Sequence, residues 1–402
     1  MEGGVSPLIK TIHPFPARMA PELALKAISN LKKPSIVLDP MTGSGTVIRQ
    51  ASDLGHQAIG LDMDPLAVLM SRVWTTPVQD KLIEAVANEI IERASSMSDA
   101  EVHLPWIDED PETQAFVKYW FGRKQTKDLR RLAYTIRSHE PASAKEEAAL
   151  NIMRIALSRL IIAKENGASL ARDVSHSRPH RVMLKSDYDV MANFERSVRG
   201  VRARLAATPP RRPSRVSIGD ARNMLEVADS SVDAVLTSPP YLNAIDYLRG
   251  HRLSLVWLGY RIGELRSIRS NSIGAERAPD GVSESKANAM IRRSMGELDE
   301  LPTRFSGMID RYVNDLRCVL AETARVLKVD GTATFVVGNS CLRGVFIRNS
   351  NAVVAAAKAA GLVKKSSHER ELPTGSRYLP MMKDGALAKR MRTETILTFT
   401  HA

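Results

Sequence analysis

Residues 36–62, IVLDPMTGSGTVIRQASDLGHQAIGLD, decide the fold. The apolar run over 36–38 predicts a short buried strand, and the apolar spacing over 46–54 predicts a helix after a glycine-rich turn. Residues 58–61 form a second apolar run of strand length. Two strands joined by a helix pair in parallel, and the helix forms a right-handed crossover between them. The unit therefore predicts an α/β fold.

The same alternation returns in the second half of the chain. Runs of strand length recur there, and helical patterns separate them. Strands are predicted over 215–218, 232–236, 332–337 and 395–400, with one helix ending near residue 327 and another over 351–360.

Two segments interrupt this alternation. Over 75–214 the apolar residues recur at helical spacing, which predicts a mainly helical insertion. Its tail is basic, because residues 170–215 hold eleven Arg and Lys against four Asp and Glu. A second interruption, over 242–304, begins helical and turns polar over 267–285, which is typical of a mobile loop above a site.

Composition limits the class of protein. The 402 residues carry 57 Lys and Arg against 45 Asp and Glu, a net charge of +12, which favours a polyanionic partner. Two cysteines exclude a disulfide framework and a cysteine-built zinc site. The chain has no run of 18 apolar residues, and residues 1–10 lack the apolar core of a secretion signal. We expect a soluble protein of a reducing compartment.

The glycine-rich turn runs from Asp39 to Thr46. Gly43 and Gly45 let the backbone turn sharply and approach a ligand, while Thr46 opens a helix whose free amides attract an anion. The third glycine of the dinucleotide fingerprint is missing, which disfavours a nicotinamide cofactor. The alternative is a plain glycine turn before a helix.

Two acidic residues follow predicted strands. Asp62 ends the run 58–61, where a carboxylate accepts hydrogen bonds from ribose hydroxyls in doubly wound sheets. Asp220 follows the run 215–218 in the same manner. For both residues the alternative is a cap of the following helix.

The run 232–236 leads into Thr-Ser-Pro-Pro-Tyr at 237–241. Proline donates no ladder hydrogen bond, and a carbonyl beside it is left to accept from a ligand. Ser238 adds a second acceptor and Tyr241 a flat face for stacking. These groups suit a planar ring with an exocyclic amine, and the alternative is a rigid turn with a core tyrosine.

Together these motifs resemble the S-adenosylmethionine-dependent amino-methyltransferases that methylate DNA at cytosine N4 or adenine N6. The resemblance covers the two α/β stretches and includes His-Pro-Phe-Pro-Ala-Arg at 13–18, which is similar to the family's N-terminal segment over the cofactor. It implies a Rossmann-like methyltransferase sheet, mostly parallel and seven-stranded, with a mainly helical insertion. The implied parts are a cofactor-binding part at 1–74, the insertion at 75–214 and the second catalytic part at 215–402.

The resemblance also implies roles for the residues that match these motifs. The cofactor S-adenosyl-L-methionine, with S-adenosyl-L-homocysteine as its product, would be held through its methionine part, ribose and adenine. The residues implied for this are Phe15, Arg18, Asp39, Gly43, Gly45, Thr46, Asp62 for the ribose and Asp220 for the adenine amine. Ser238 and the Pro239 carbonyl would receive the two hydrogens of the target amine, with Tyr241 stacked on the base.

Further residues are weaker candidates for contacts with the substrate. Pro240, Asn243, Asp246 and Tyr247 are candidates for the target pocket, with a plain amphipathic helix as the alternative for the last three. The basic region 172–215 is the candidate DNA contact, and the polar stretch 371–377 is a second segment that would approach DNA. His103 and His251 have no partners at ligand spacing, so no metal is predicted.

The resemblance also implies cytosine N4 over adenine N6 as the preferred target, because serine at the first motif position is commoner in the family's cytosine-N4 enzymes. Methylation at cytosine C5 needs a cysteine after proline, whereas Cys318 follows Arg317 and Cys341 follows Ser340. The alternatives are an RNA base methyltransferase, a protein glutamine methyltransferase and a non-catalytic basic DNA-binding protein. The resemblance also implies double-stranded DNA with a flipped base as partner, no membrane, a bacterial cytoplasmic restriction–modification setting and a cognate endonuclease.

Overall fold

The computed structural model describes residues 11–16, 18–242, 246–274, 285–371 and 393–402. The strands are β1 (Ile36–Asp39), β2 (Gln57–Asp62), β3 (Ala171–Arg172), β4 (His180–Arg181), β5 (Arg215–Ile218), β6 (Val232–Thr237), β7 (Leu327–Gly338), β8 (Ser340–Leu342), β9 (Val345–Ile347), β10 (Leu362–Glu371) and β11 (Thr393–His401). The α-helices are α1 (Pro21–Ile28), α2 (Thr46–Asp53), α3 (Pro65–Thr75), α4 (Asp80–Ser96), α5 (Pro105–Asp108), α6 (Pro111–Trp120), α7 (Arg123–Ser138), α8 (Ala144–Arg159), α9 (Val190–Ala207), α10 (Leu248–Leu255), α11 (Ile262–Asn271), α12 (Lys286–Ser294), α13 (Ser306–Val326) and α14 (Asn349–Ala359).

A seven-stranded sheet in the order β10-β11-β7-β6-β1-β2-β5 organises the molecule. The strands from β7 to β5 pair in parallel, whereas β11 runs antiparallel to both β7 and β10. The predicted class, α/β with a mostly parallel seven-stranded sheet, is confirmed. Strand order reverses between β1 and β6, and the carboxyl ends of the strands on either side of such a reversal frame a crevice where ligands bind.

Three buried clusters surround this sheet. One lies against α1 and α2, and a second joins the other face of the sheet to α13 and α14. The third, helical cluster contains residues of α4 and α7–α9, and also of α3, α10 and α11. The helical core therefore extends past residues 75 and 242, and the division at 1–74, 75–214 and 215–402 stays a prediction.

The structure corrects several local predictions. Residues 267–271, expected in a mobile loop, belong to α11, and β7 begins at Leu327 instead of 332. The edge strand β10 was not predicted, because only Leu362 of its ten residues is buried and no apolar alternation marks it. Residues 1–10, Asn243 and 372–377 lie outside the described residues. Within the described ranges, no helix has both the length and the apolar character needed to cross a membrane.

Candidate functional site

The ends of β1 and β6 meet at the crevice. The Thr237 hydroxyl donates a hydrogen bond to Asp39 Oδ1 at 2.7 Å, and the Met41 amide donates to the same oxygen at 3.2 Å. Asp39 and Thr237 are 198 residues apart in the chain. The structure thus brings the Ser-Pro-Pro-Tyr turn next to the glycine-rich turn.

The glycine-rich turn has a backbone that other residues rarely adopt. Gly43 and Gly45 have φ of +50° and +89°. A β-carbon on Gly45 would lie 2.6 Å from Ser71 Oγ and 3.0 Å from Ser71 Cα, so α3 packs directly against this glycine. Gly45 precedes α2 without a side-chain cap, and the buried Thr46 hydroxyl has no hydrogen-bond partner among the described residues. A polar ligand group at this helix start fits both observations.

Asp62 closes the turn from the neighbouring strand. Its carboxylate accepts from the Gly43 amide at 2.8 Å and from the Asp64 amide at 2.9 Å. Burial, and then the Asp64 charge, raise the pKa of Asp62 to about 6. Burial also raises the pKa of Asp39 to about 7, although the Thr237 hydrogen bond opposes this. A buried carboxylate, Asp39, and a half-buried one, Asp62, at one crevice can hold hydroxyl groups and a cationic group.

Asp220 lies beyond Asp62, at the end of β5, and Arg222 holds its carboxylate. The distance from Arg222 Nη2 to Asp220 Oδ2 is 2.8 Å. The same guanidinium reaches Asp315 Oδ1 at 2.8 Å and the Asn271 carbonyl at 2.7 Å, and it lies 3.7 Å from Met63 Sδ. Sequence reasoning missed Arg222, although it stands two residues after Asp220. The predicted contact of Asp220 with adenine stays a prediction.

The Ser238–Tyr241 turn follows β6 and contains two oxygens that remain able to accept hydrogen bonds. The Ser238 hydroxyl donates to the Val336 carbonyl of β7 at 2.9 Å, which uses its hydrogen and leaves its lone pairs to accept. Pro239 is buried, and no donor to its carbonyl occurs among the described residues. Burial raises the pKa of Tyr241 to about 12, so the phenol stays neutral. Pro240 is half-buried beside them.

The N-terminal segment crosses the glycine-rich turn. A β-carbon on Gly43 would lie 3.2 Å from Phe15 Cε1, and the Phe15 ring stacks on Tyr247 with centroids 5.0 Å apart. His13 Nε2 lies 2.8 Å from Ser158 Oγ on α8, and burial lowers the pKa of His13 to about 3. Neutral His13 therefore anchors Phe15 above Gly43. Arg18 is exposed.

The residues after the Ser-Pro-Pro-Tyr turn are already engaged with neighbours. Arg269 Nε donates to Asp246 Oδ2 at 2.6 Å, and Tyr247 stacks on Phe15. His251 is buried, with its Nδ1 2.5 Å from Asp64 Oδ2. Sequence reasoning missed this histidine–aspartate pair, because 187 residues separate its members. Roles of Asp246 and Tyr247 in a target pocket stay predictions.

The basic region 172–215 divides into paired and exposed parts. Arg202 pairs with Asp80 and Arg199 with Glu195, whereas Arg172, Arg181 and Lys185 are exposed around the β3–β4 hairpin. The hairpin loop packs on α10, because a β-carbon on Gly250 would lie 2.7 Å from the Val174 carbonyl. The hairpin loop, and not its exposed cations, thus makes this contact with the helix that follows the site. No group of three potential metal ligands occurs within the described residues, and absence of a metal stays a prediction.

Comparison with known proteins adds sequence relatives. No protein-family model matches the chain. It is similar to the Type II methyltransferase M.MvaI of Kocuria varians, with 24% identity over 96% of this chain and 89% of that protein. M.BsoBI of Geobacillus stearothermophilus is 22% identical over 60% of this chain and 50% of its own length. The Type II methyltransferase M.AvaI of Nostoc sp. is 22% identical over 76% of this chain and 68% of its own length.

Solved structures give weaker matches. A TehB-like SAM-dependent methyltransferase from Corynebacterium glutamicum covers 95% of this chain and 87% of its own, with 9% identity and a TM-score of 0.30. The rRNA methyltransferase aviRa of Streptomyces viridochromogenes covers 96% and 86%, with 13% identity and a TM-score of 0.27. TM-scores of 0.30 and 0.27 do not establish a shared fold, so the fold assignment depends on the strand order. By sequence, the chain is similar to Type II methyltransferases.

Proposed function

We propose that this protein is a DNA methyltransferase that moves a methyl group from S-adenosyl-L-methionine to the exocyclic amine of a base, with cytosine N4 as the preferred target. The observation that carries the proposal is the 2.7 Å hydrogen bond between Thr237 and Asp39. It sets the acceptors of the Ser-Pro-Pro-Tyr turn beside a turn suited to the cofactor. The similarity to Type II methyltransferases over most of the chain supports this.

The residues of the glycine-rich turn fit the cofactor. Asp39, Gly43, Gly45 and Thr46 would hold its methionine part, and the Asp62 carboxylate would accept from the ribose. Phe15 and Arg18 on the N-terminal segment and Asp220 beside the adenine complete the proposed set. When bound, the cofactor supplies an electrophilic methyl group on a sulfonium.

The target amine is a poor nucleophile, because its lone pair is delocalised into the ring. The Ser238 oxygen and the Pro239 carbonyl accept its two hydrogens, which holds the nitrogen towards tetrahedral geometry and aims the lone pair at the methyl group. Positioning of this kind, with acceptors that are already oriented, supplies most of the acceleration. The base leaves the DNA stack at a cost of about a few kcal/mol and stacks on Tyr241.

Methyl transfer from labelled S-adenosylmethionine to duplex DNA and to RNA tests the proposal. We expect label in DNA alone, and N4-methylcytosine in the digested product. Ser238→Ala removes one acceptor and is expected to lower the transfer rate by about 10²- to 10³-fold. Ser96→Ala is the matched control, since Ser96 is exposed on α4 and its hydroxyl bonds only to its own helix.

Three results would contradict the proposal, and a fourth would change its target base. Label in RNA but not in DNA would identify an RNA methyltransferase, and label in neither polymer would remove the enzymatic function. A Ser238→Ala rate equal to that of Ser96→Ala would remove the role of the serine. N6-methyladenine in the product would keep the DNA methyltransferase and replace cytosine by adenine.

The setting proposed for this activity is a bacterial cytoplasm. The DNA is double-stranded with a flipped target base, the product of the cofactor is S-adenosyl-L-homocysteine, and a cognate restriction endonuclease is the proposed partner. The names of the Type II relatives support this setting. Digestion of genomic DNA from the host with endonucleases blocked by N4-methylcytosine tests it.

A further inference from the structure

Three arginines of α10 and α11 lie near Asp246, which precedes α10. Asp246 Oδ2 lies 2.6 Å from Arg269 Nε and 3.7 Å from Arg249 Nε. Arg252 follows Arg249 by three residues on α10, and its guanidinium lies over the Phe116 ring, 5.4 Å from the centroid. We call Arg249, Arg252 and Arg269 the arginine cluster.

The arginine cluster has more positive charge than its surroundings neutralise. The guanidiniums of Arg249 and Arg269 share the single Asp246 carboxylate, and the adjacent Arg266 is paired with Glu112. The buried Nε of Arg252 has no hydrogen-bond partner among the described residues. Burial, and then the charge of Arg269, lower the pKa of Arg252; the Asp246 charge opposes this shift and the Arg249 charge adds to it. An anion placed among them would relieve this repulsion.

The cluster is open to solvent and close to the site. Side chains of Arg249 and Arg269 are 47% and 40% exposed. α10 begins directly after Tyr247, whose ring stacks on Phe15 above Gly43. At its other end, α11 returns to the site through the Asn271 carbonyl, which accepts from Arg222. An anion at the cluster therefore lies beside the crevice in which the target base is proposed to bind.

We propose that the arginine cluster binds a backbone phosphate of the DNA strand that carries the target nucleotide. The inference rests on the proposed function, because it takes DNA as the substrate. Guanidinium groups match phosphate oxygens in a bidentate manner, and phosphate contacts set the position of a protein on a duplex. Asp246 keeps two of the arginines in place, and the third is stacked on Phe116, so the cations are oriented before DNA arrives.

The test measures binding of a fluorescent duplex, cut from DNA that the enzyme methylates, at several salt concentrations. Each phosphate contact contributes about 0.9 to the slope of log affinity against log salt. Arg252→Gln and Arg249→Gln are each expected to reduce this slope by about 0.9 and to weaken binding by about tenfold at 0.1 M salt. Arg252→Lys keeps the charge and is expected to retain most of the slope.

Lys32→Gln is the control for loss of one charge, since Lys32 is exposed before the amino end of β1, opposite the carboxyl ends of the strands at the crevice. A slope for Arg252→Gln equal to that of Lys32→Gln overturns the inference. Arg252→Gln and Arg252→Lys could instead lose the same affinity for DNA and also bind S-adenosylmethionine more weakly. That result would identify a structural role of Arg252 and would also overturn the inference. Methyl transfer by the wild-type enzyme is measured on the same DNA, so a failure of the proposed function is recognised separately.

Discussion

The ends of β2 and β5 lie side by side and carry similar acids in different surroundings. Asp62 pairs in register with Ile218, and the Gly219 amide donates to the Asp62 carbonyl at 3.1 Å. The Asp62 carboxylate receives only backbone amides among the described residues, whereas Arg222 grips the Asp220 carboxylate. The position of an acidic residue after a parallel strand therefore does not by itself indicate that the residue binds a ligand. Whether it can serve a ligand depends on what already satisfies it.

The largest expected effect comes from replacing Arg222, which pairs with Asp220 and not with Asp62. Arg222→Gln leaves Asp315, whose side chain is 5% exposed, without its closest cation. Removing one partner of a buried pair destabilises by about 3 kcal/mol. The more distant Arg311, 3.8 Å from Asp315, limits the loss. Urea unfolding of the ligand-free protein measures it.

Arg199→Gln is the control for this variant, because the Arg199–Glu195 pair is exposed on α9. Exposed pairs of this type contribute about 0.3–0.5 kcal/mol. If both variants lose the same small amount, Arg222 has no structural part in the β5 end, and the contrast between Asp62 and Asp220 loses its explanation.

The second prediction compares the acids directly. Asp62→Asn keeps the shape and removes the charge, and we expect S-adenosylmethionine to bind about 10- to 100-fold more weakly, as for loss of a charged acceptor. Asp220→Asn is expected to weaken binding by less than about fivefold, since Arg222 already neutralises Asp220. Calorimetric titration of both variants decides the order. A larger effect at Asp220 would invert the comparison.

The third prediction concerns pH. Folding raises the pKa values of Asp39 and Asp62 to about 7 and about 6, so both carboxyls gain protons as the pH falls through this range. A cationic sulfonium favours the ionised forms, and its affinity is expected to fall by about tenfold between pH 7.5 and 5.5. The ligand-free protein gains stability from the same protonation, which is lost as pH rises through 6 to 7. In Asp62→Asn the lower-pH part of the affinity change should vanish, and an unaltered profile would assign it to other groups.

The smallest expected effect is that of the ring above the turn. Phe15→Ala removes the contact with Gly43 and the stack on Tyr247, and we expect about three- to fivefold weaker cofactor binding. Phe346→Ala is the control, because Phe346 is 46% exposed on β9. Equal affinities of the two variants would show that Phe15 only packs against the turn.

The fold was largely predictable because its central strands are buried. β1, β2 and β6 appear in the sequence as apolar runs, and each ends in a polar residue at the crevice. β10 was missed because an edge strand with one buried residue has no pattern to detect. The sequence pattern thus indicates which strands are buried, but not which strands pair with one another.

The positions of Asp39, Asp62 and Ser238 at strand ends were predictable from the sequence, whereas their roles in a site stay predictions. Contacts that join distant parts of the chain were not predictable, since nothing near His251 indicates Asp64, and nothing near Asp246 indicates Arg269. The pairing of Asp220 with Arg222 was missed for another reason. Residues two positions apart in a loop can point towards or away from each other, and the sequence does not show which. In the structure, the Arg222 guanidinium reaches the Asp220 carboxylate.

The interior place of β11 has a consequence for biosynthesis. This strand comes last among the described elements, yet it lies between β7 and β10. While the ribosome is still making residues 393–401, β7 has an unpaired edge, and the Val336 carbonyl that anchors Ser238 belongs to this incomplete strand. The nascent chain therefore cannot complete the sheet beside the crevice before β11 has left the ribosomal exit tunnel.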